Sequence, residues 1–136
     1  MIWQGSSLLD APTTASVADG ELRMGAQKLR LTSEDPTDVR AFAPDGSAYR
    51  LRKAGFTVAR YEATCDARAY TARRTRGARR DITDSSGRVV AVTHGRADGS
   101  LEVHPVGDPT PERMRDLVFI TWGLTYVDCP TRRTMH

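Results

Sequence analysis

The sequence predicts a mainly β domain in which an antiparallel meander curls into a barrel or half-barrel around a buried hydrophobic C-terminal helix. Two observations carry this prediction. The body of the 136-residue chain alternates polar and apolar residues in short runs that are separated by turns built on Asp and Gly. After the last of these runs comes a stretch without a single charge, Leu117 to Val127, which needs burial on every side.

The uncharged stretch is compatible with two structures. Its β-branched and aromatic residues favour a short central strand from propensity alone. The residues before it favour a helix, with Thr110 as N-cap, Pro111 at the first helical position and Glu112 near the positive end of the helix dipole. Pro130 ends such a helix, because the residue before proline is driven out of the helical region. We predict a helix over 111–128 whose uncharged run falls short of the roughly 20 residues that a bilayer span needs.

The strands are predicted from alternation and from the turns between them. Residues 1–20 are expected to be partly irregular, with a candidate strand from Trp3 to Leu9 and a loop from Asp10 to Asp19. The period-2 pattern further along indicates strands with one wet face. These predicted strands cover Glu21–Met24, Gln27–Leu31, Val39–Ala43, Ala48–Lys53, Phe56–Glu62, Ala67–Thr75, Asp81–Thr83, Arg88–His94 and Ser100–His104.

Length and composition indicate one domain, residues 1–136. A hydrophobic fraction of 39% and a charged fraction of 27% are typical of a soluble protein with a single core. The first residues lack the basic start and apolar run of a signal peptide, so we expect a cytoplasmic protein. Cys65 and Cys129 are too few for a disulfide scaffold and are expected to be unpaired and buried. Residues 129–136 are expected to form a flexible tail.

Strand pairs that turn on Asp84-Ser85-Ser86-Gly87 and Asp45-Gly46, followed by the apolar helix at Asp116-Leu117-Val118-Phe119-Ile120, resemble the tubby C-terminal-like domains of the LURP-one-related group. The likeness covers roughly residues 39 to 128. It implies an antiparallel barrel around a central hydrophobic helix, a fold shared with the phospholipid scramblases. Tubby proteins proper bind phosphoinositide head groups with basic residues, so the resemblance also implies an anionic lipid as ligand.

The sequence contains no motif of a common enzyme class. A P-loop, a dinucleotide-binding glycine turn, a Gly-x-Ser-x-Gly elbow and a Cys-x-x-Cys pair are all missing. Asp45, Asp84 and Asp98 stand where a turn needs a short side chain that bonds its own backbone. We therefore predict no catalytic residues, no cofactor and a protein that is not an enzyme.

The three histidines do not predict a metal site. If Asp98 and Gly99 close a hairpin, His104 is expected opposite Val90, about 13 Å along the ladder from His94 at 3.3 Å per residue. Two side chains at that spacing cannot share one ion at about 2.1 Å from each nitrogen. The third, His136, lies at the end of the sequence.

One cluster of basic residues stands out. Six arginines fall within thirteen residues, with Gly77 at the expected hairpin tip: Arg68, Arg73, Arg74, Arg76, Arg79 and Arg80. Each guanidinium offers a planar fork of donors that matches the paired oxygens of a phosphate. We predict that Arg73, Arg74, Arg76, Arg79 and Arg80 form an anion-binding surface. The alternative is a solvated hairpin on an arginine-rich chain.

Three functions follow from these features. The first is a non-enzymatic module that binds anionic phospholipid head groups or other phosphate ligands and lies at the membrane periphery. The second is a nucleic-acid-binding protein that uses the same charges, although the aromatic residues of a single-strand platform are nearly absent. The third is a small-molecule domain of the helix-grip kind, which needs a helix with one polar face. Oligomeric state and ligand identity are not encoded in any recognisable pattern.

Overall fold

The structure is a computed structural model that describes residues 1–129. Over this part of the chain, twelve strands precede one helix, as the prediction of a mainly β domain requires. The flexible tail was expected over 129–136, and all of it except Cys129 lies outside the described residues. The elements are β1 Ile2–Gln4, β2 Ser7–Leu9, β3 Ala15–Ala18, β4 Glu21–Met24, β5 Gln27–Asp35, β6 Asp38–Phe42, β7 Ala48–Lys53, β8 Arg60–Cys65, β9 Arg68–Arg76, β10 Arg79–Asp84, β11 Val89–Gly95, β12 Leu101–Pro105 and α1 Pro111–Asp128.

The twelve strands form a closed antiparallel barrel. Each strand pairs with the next one along the chain, and β1 closes the ring against β12, with Ile2 opposite Glu102 and Trp3 opposite Leu101. Of the two predicted forms, barrel or half-barrel, the structure is therefore the full barrel. Closure pairs both edges of the sheet, which leaves no open strand for another chain to extend.

Alternation along the strands separates the core from the surface. On β7, Tyr49 and Leu51 are buried while Arg50 and Arg52 face solvent. The tight turns carry the predicted aspartates, whose side chains accept hydrogen bonds from the backbone two residues on, as in the 2.9 Å bond from the Ser47 N–H to Asp45.

The helix α1 fills the barrel. It begins as predicted, with the Thr110 hydroxyl accepting a 3.1 Å hydrogen bond from the Arg113 N–H and proline at the first position. Ten consecutive residues, 116–125, are buried, which amounts to nearly three turns without an exposed face. The alternative of a central strand is wrong, and the helix-grip arrangement does not fit, because α1 has no polar face and lies inside a closed ring.

Aromatic side chains bind the helix to the wall. The Trp3 and Trp122 rings lie 5.2 Å apart between centroids, and Trp3 Nε1 donates a 2.9 Å hydrogen bond to the hydroxyl of Thr121. Tyr49 packs edge-on against Phe119 at 5.6 Å. Each ring buries a large apolar area and meets its partner in a tilted or edge-to-face arrangement that adds to that burial.

Two local predictions differ from the structure. The segment from Asp10 to Asp19 is not all loop, because it contains β3, which pairs with β2 on one side and β4 on the other. The strand expected from Phe56 begins only at Arg60, since the pairing of Lys53 with Tyr61 leaves 54–59 as a loop. The β-favouring residues of that loop have no strand beside them to pair with.

Candidate anion-binding surface

The arginine cluster lies on the hairpin β9–β10, as the sequence predicts. Gly77 is at its tip with a positive φ of 55°. Arg79 pairs with Arg76 and Arg80 pairs with Arg74, so that Thr75 is an extra residue in β9. A bulge of this kind turns the following side chain to the other face. The arginines of the hairpin are therefore divided between the outside and the inside of the barrel.

Arg80 points into the barrel and is fully buried. Its Nε and Nη2 donate hydrogen bonds of 2.8 and 3.1 Å to the two carboxylate oxygens of Asp128, and Nη2 also donates to the carbonyl of Val58 at 2.6 Å. The guanidinium lies over the ring of Tyr61, 5.4 Å from its centroid. This placement removes Arg80 from the predicted anion-binding surface and gives it a structural role at the C-terminal end of α1.

Arg74 occupies an intermediate position. It shares the inward face with Arg80, and its Nη2 lies 3.6 Å from the Asp128 carboxylate. About a third of its side chain, 36%, still contacts solvent. Part of its charge is thus balanced by a buried carboxylate, so Arg74 is less available to an external anion than a fully exposed arginine.

Arg73, Arg76 and Arg79 are exposed on the outside of the hairpin. Within residues 1–129 none of the three has a salt-bridge partner. Arg73 lies opposite Arg60 on one side and Asp81 on the other. We define these three arginines as the hairpin triad. The triad is the part of the predicted site that is accessible and that forms no ion pair in the described part of the chain.

Neighbouring strands extend the basic face, which the sequence analysis missed. On β6–β8 each carboxylate is shared by two arginines, because alternation places every second residue outward. Asp38 binds Arg40 and Arg50 at 2.6 and 2.9 Å. Hydrogen bonds from Arg40 and then from Arg50 hold the pKa of Asp38 below its ordinary value.

Glu62 is shared in the same way. It accepts from Arg52 at 2.6 Å and from Arg60 at 2.7 Å. Each of these two groups keeps one net positive charge, so the face beside the hairpin triad is itself basic. The signal in the sequence was the alternate spacing of Arg50 and Arg52 on one strand and of Arg60 and Glu62 on the next. This spacing becomes informative once the pairing of β7 with β8 is known.

The loop between β7 and β8 reaches the same end of the barrel as the hairpin tip. Arg60, directly after this loop, pairs with Arg73, a few residues before Gly77. Phe56 in the loop is fully exposed, at 101% of its reference area. A fully exposed phenylalanine is uncommon on a folded domain, and among residues 1–129 this one lies at the same end of the barrel as the hairpin triad.

The sixth arginine of the cluster, Arg68, is bound to the other end of α1. It donates hydrogen bonds of 2.6 and 3.0 Å to the buried carboxylate of Asp116 and lies 3.2 Å from Glu112. The hydroxyl of Tyr70 donates to the same carboxylate at 2.6 Å. Burial and then this hydrogen bond raise the pKa of Tyr70, which keeps the hydroxyl protonated as a donor.

The histidines of the described residues do not form a metal site. His104 lies opposite Val92 and not opposite Val90, because the turn ends with Gly95 facing Leu101, so it is about 7 Å along the ladder from His94. His94 contacts Glu102 at 3.2 Å, and no group of three metal-ligating side chains occurs among residues 1–129.

Both cysteines are buried, and burial raises the pKa of the Cys65 thiol. Such a thiol stays protonated at neutral pH and is a poor nucleophile. In the described part of the chain no helix has the length and apolar character to cross a bilayer.

Comparison with protein-family models, with curated proteins and with solved structures gives no match. The resemblance to the LURP-one-related group stays a prediction from the residues. The candidate site therefore rests on its own geometry: three exposed arginines and an exposed phenylalanine at one end of a closed barrel, with no ion pair to these arginines within residues 1–129.

Proposed function

We propose that this protein is a non-enzymatic module that associates with anionic membrane surfaces through phospholipid head groups. The observation that carries the proposal is the shared location of the hairpin triad and Phe56 at one end of the barrel. Guanidinium groups match phosphate oxygens, and an aromatic ring is stable at the boundary between head groups and acyl chains. A nucleic-acid partner accounts for the arginines as well, but a single projecting phenylalanine gives only one stacking surface for bases.

The charges set the expected strength. Each basic residue near an anionic surface contributes about 1 kcal/mol, and inserting one phenylalanine side chain adds about 1.5–3 kcal/mol. The hairpin triad and Phe56 together give roughly 5 kcal/mol, which corresponds to a dissociation constant on the order of 0.1–1 mM. Association at the membrane periphery is therefore reversible, and it weakens as salt screens the charges.

Sedimentation with vesicles tests the proposal. Vesicles containing phosphatidylserine or a phosphoinositide are expected to carry the protein down at low salt, whereas vesicles of phosphatidylcholine alone are not. Changing the triad with Arg73→Gln, Arg76→Gln and Arg79→Gln is expected to abolish most of the bound fraction. Phe56→Ala is expected to weaken binding by at least about tenfold, given the burial energy of its ring.

A matched control distinguishes the effect of the hairpin triad from the effect of net charge. Arg23→Gln, Arg30→Gln and Arg88→Gln remove the same three charges from exposed positions away from the hairpin, and this variant should bind vesicles nearly as well as the native protein. Equal binding by the two triple variants, or no sedimentation of the native protein, would contradict the proposal. Excess oligonucleotide that carries the same total charge as the vesicles should not release the bound protein. If it does, and if Phe56→Ala leaves vesicle binding unchanged, nucleic acid is the better candidate for the partner.

A further inference from the structure

The other end of the barrel, where α1 begins, contains a pocket of about 410 Å³. It lies between the turn that joins β4 to β5, the loop before β3 and the first two turns of the helix. This volume is within the range of about 300–1,000 Å³ that small-molecule sites occupy. The pocket is separated from the hairpin triad by the length of the barrel and is independent of the proposed membrane surface.

The lining is mainly apolar. Met24 and Val118 are buried at its floor, and Met114 is half-buried on the helix beside them. Three prolines and Ala26 complete the walls, the prolines being Pro12, Pro109 and Pro111. Methionine side chains adapt to the shape of an apolar ligand, because they are unbranched and polarizable. Such a lining accepts a flexible hydrocarbon chain.

One guanidinium supplies the polar end of the pocket. Arg115 lines it, and its Nη1 donates a 2.9 Å hydrogen bond to the Gln27 side-chain oxygen. Its Nε is buried and has no acceptor among residues 1–129. The Gln27 amide nitrogen keeps its own protons free to donate, since the contact with Arg115 uses the oxygen. An incoming carboxylate can accept hydrogen bonds from the Gln27 amide and from the outer nitrogens of the Arg115 guanidinium.

The helix adds a second source of positive potential. The pocket borders Pro109 and Pro111, at the N-terminus of an 18-residue helix whose dipole favours an anion there. Asp108 also lines the pocket, but it is exposed at the rim, where water and salt screen its repulsion. Among the residues that line the pocket, Arg115 is the basic one and Asp108 the acidic one.

We propose that this pocket binds a small amphipathic anion, an apolar chain ending in one carboxylate, with Arg115 and Gln27 holding the carboxylate. The hydrocarbon chain then lies along Met24, Met114 and Val118. A carboxylate is favoured over a neutral polar group because it accepts two parallel hydrogen bonds from one guanidinium. An apolar chain is required because the rest of the lining offers few other donors or acceptors.

Titration with decanoate, followed by calorimetry or by NMR of the Met24 and Met114 methyl groups, tests this site. The expected dissociation constant is on the order of 0.1 mM. Arg115→Gln should weaken decanoate at least about tenfold, because a hydrogen bond to a charged group is lost, while decanol should bind both proteins equally. Arg113→Gln is the matched control, since Arg113 is on the same turn of α1 but pairs with Asp84 outside the pocket.

A blocking variant keeps the test independent of the charge. Thr13 is exposed at the rim, and Thr13→Trp should fill the mouth and abolish binding of both decanoate and decanol without changing the unfolding temperature. Absence of decanoate binding to the native protein overturns the proposal. So does an equal loss in Arg113→Gln and Arg115→Gln, or full binding by Thr13→Trp. Vesicle binding is measured in the same variants and should be unchanged, so failure here and failure of the membrane proposal are distinguishable.

Discussion

The barrel wall holds α1 at both ends with an arginine–aspartate pair, and the two pairs differ in their contact with water. Near the start of the helix, Arg68 keeps a quarter of its side chain exposed while its partner Asp116 is buried. Near the end of the helix, Arg80 and Asp128 are buried at 0% and 1% exposure. One ion pair is open to solvent from the arginine side, and the other is sealed.

The hydrogen bonding differs as well. Asp116 accepts three hydrogen bonds, two from Arg68 and one from Tyr70. In the sealed pair, Arg80 donates to Asp128 and to a backbone carbonyl, but its Nη1 has no acceptor in the described part of the chain. Breaking a sealed pair leaves a charge without water, whereas water can replace a partner at the open one. The two arginine–aspartate pairs are therefore expected to differ in how much stability is lost when the arginine is removed, because one is open to water and the other is not.

The largest expected effect is at the sealed pair. Arg80→Ala should lower the free energy of unfolding by about 3–5 kcal/mol, because the buried Asp128 carboxylate then loses its two hydrogen bonds from Arg80 and keeps the weaker contact with Arg74 at 3.6 Å. Urea unfolding followed by circular dichroism measures this loss. Arg79→Ala is the matched control, one residue away on the outer face, and should change stability by no more than about 0.5 kcal/mol. Equal losses in the two variants would contradict the inward placement of Arg80.

A smaller effect is expected at the open pair. Arg68→Ala should cost about 1–3 kcal/mol, since Asp116 keeps the Tyr70 hydroxyl and gains access to water along the vacated side chain. The same urea experiment gives the value. The double variant Arg68→Ala with Tyr70→Phe should lose more than the sum of the two single changes, because the last donor to a buried carboxylate disappears. If Arg68→Ala lowers the free energy of unfolding as much as Arg80→Ala does, exposure to water does not distinguish the two ion pairs.

The smallest effect belongs to an exposed pair on the barrel surface. Arg40 and Arg50 hold the pKa of Asp38 below its ordinary value of about 3.9. A lowered pKa in the folded state stabilises the protein above the unfolded value, and this stabilisation is lost as the pH falls through the folded pKa. Asp38→Asn should therefore cost at most about 1 kcal/mol at pH 7, and urea midpoints should show the difference shrinking below pH 4.

Much of the fold was predictable because local signals and long-range packing agree. Thr110 and Pro111 mark the helix start in the sequence, and the same residues begin α1 in the structure. The strand Ala15–Ala18 was missed because four mostly small residues show too little polar–apolar alternation to be distinguished from a loop. Phe56 was assigned to a strand because propensity is local, whereas pairing is decided by a partner that the local sequence does not reveal.

The candidate site was predictable only as a concentration of charge. Which arginines face outward depends on the bulge at Thr75, and a bulge leaves no reliable mark in one sequence. Arg79 and Arg80 are adjacent and chemically identical, yet one is exposed and the other sealed. Arg80 is paired with Asp128, which is 48 residues away at the end of α1, so the pair could be predicted only if the position of the helix inside the barrel were known.

Closure of the barrel also constrains how the chain reaches this fold. Eleven of the twelve strand pairings join consecutive strands, and only the seam brings Ile2 to Glu102, across about 100 residues. Joining ends that far apart costs roughly 4 kcal/mol of chain entropy. The helix that fills the interior comes after every strand in the chain. The seam and α1 enclose the same core, so we expect closure of the ring and docking of the helix to occur together, in one cooperative step.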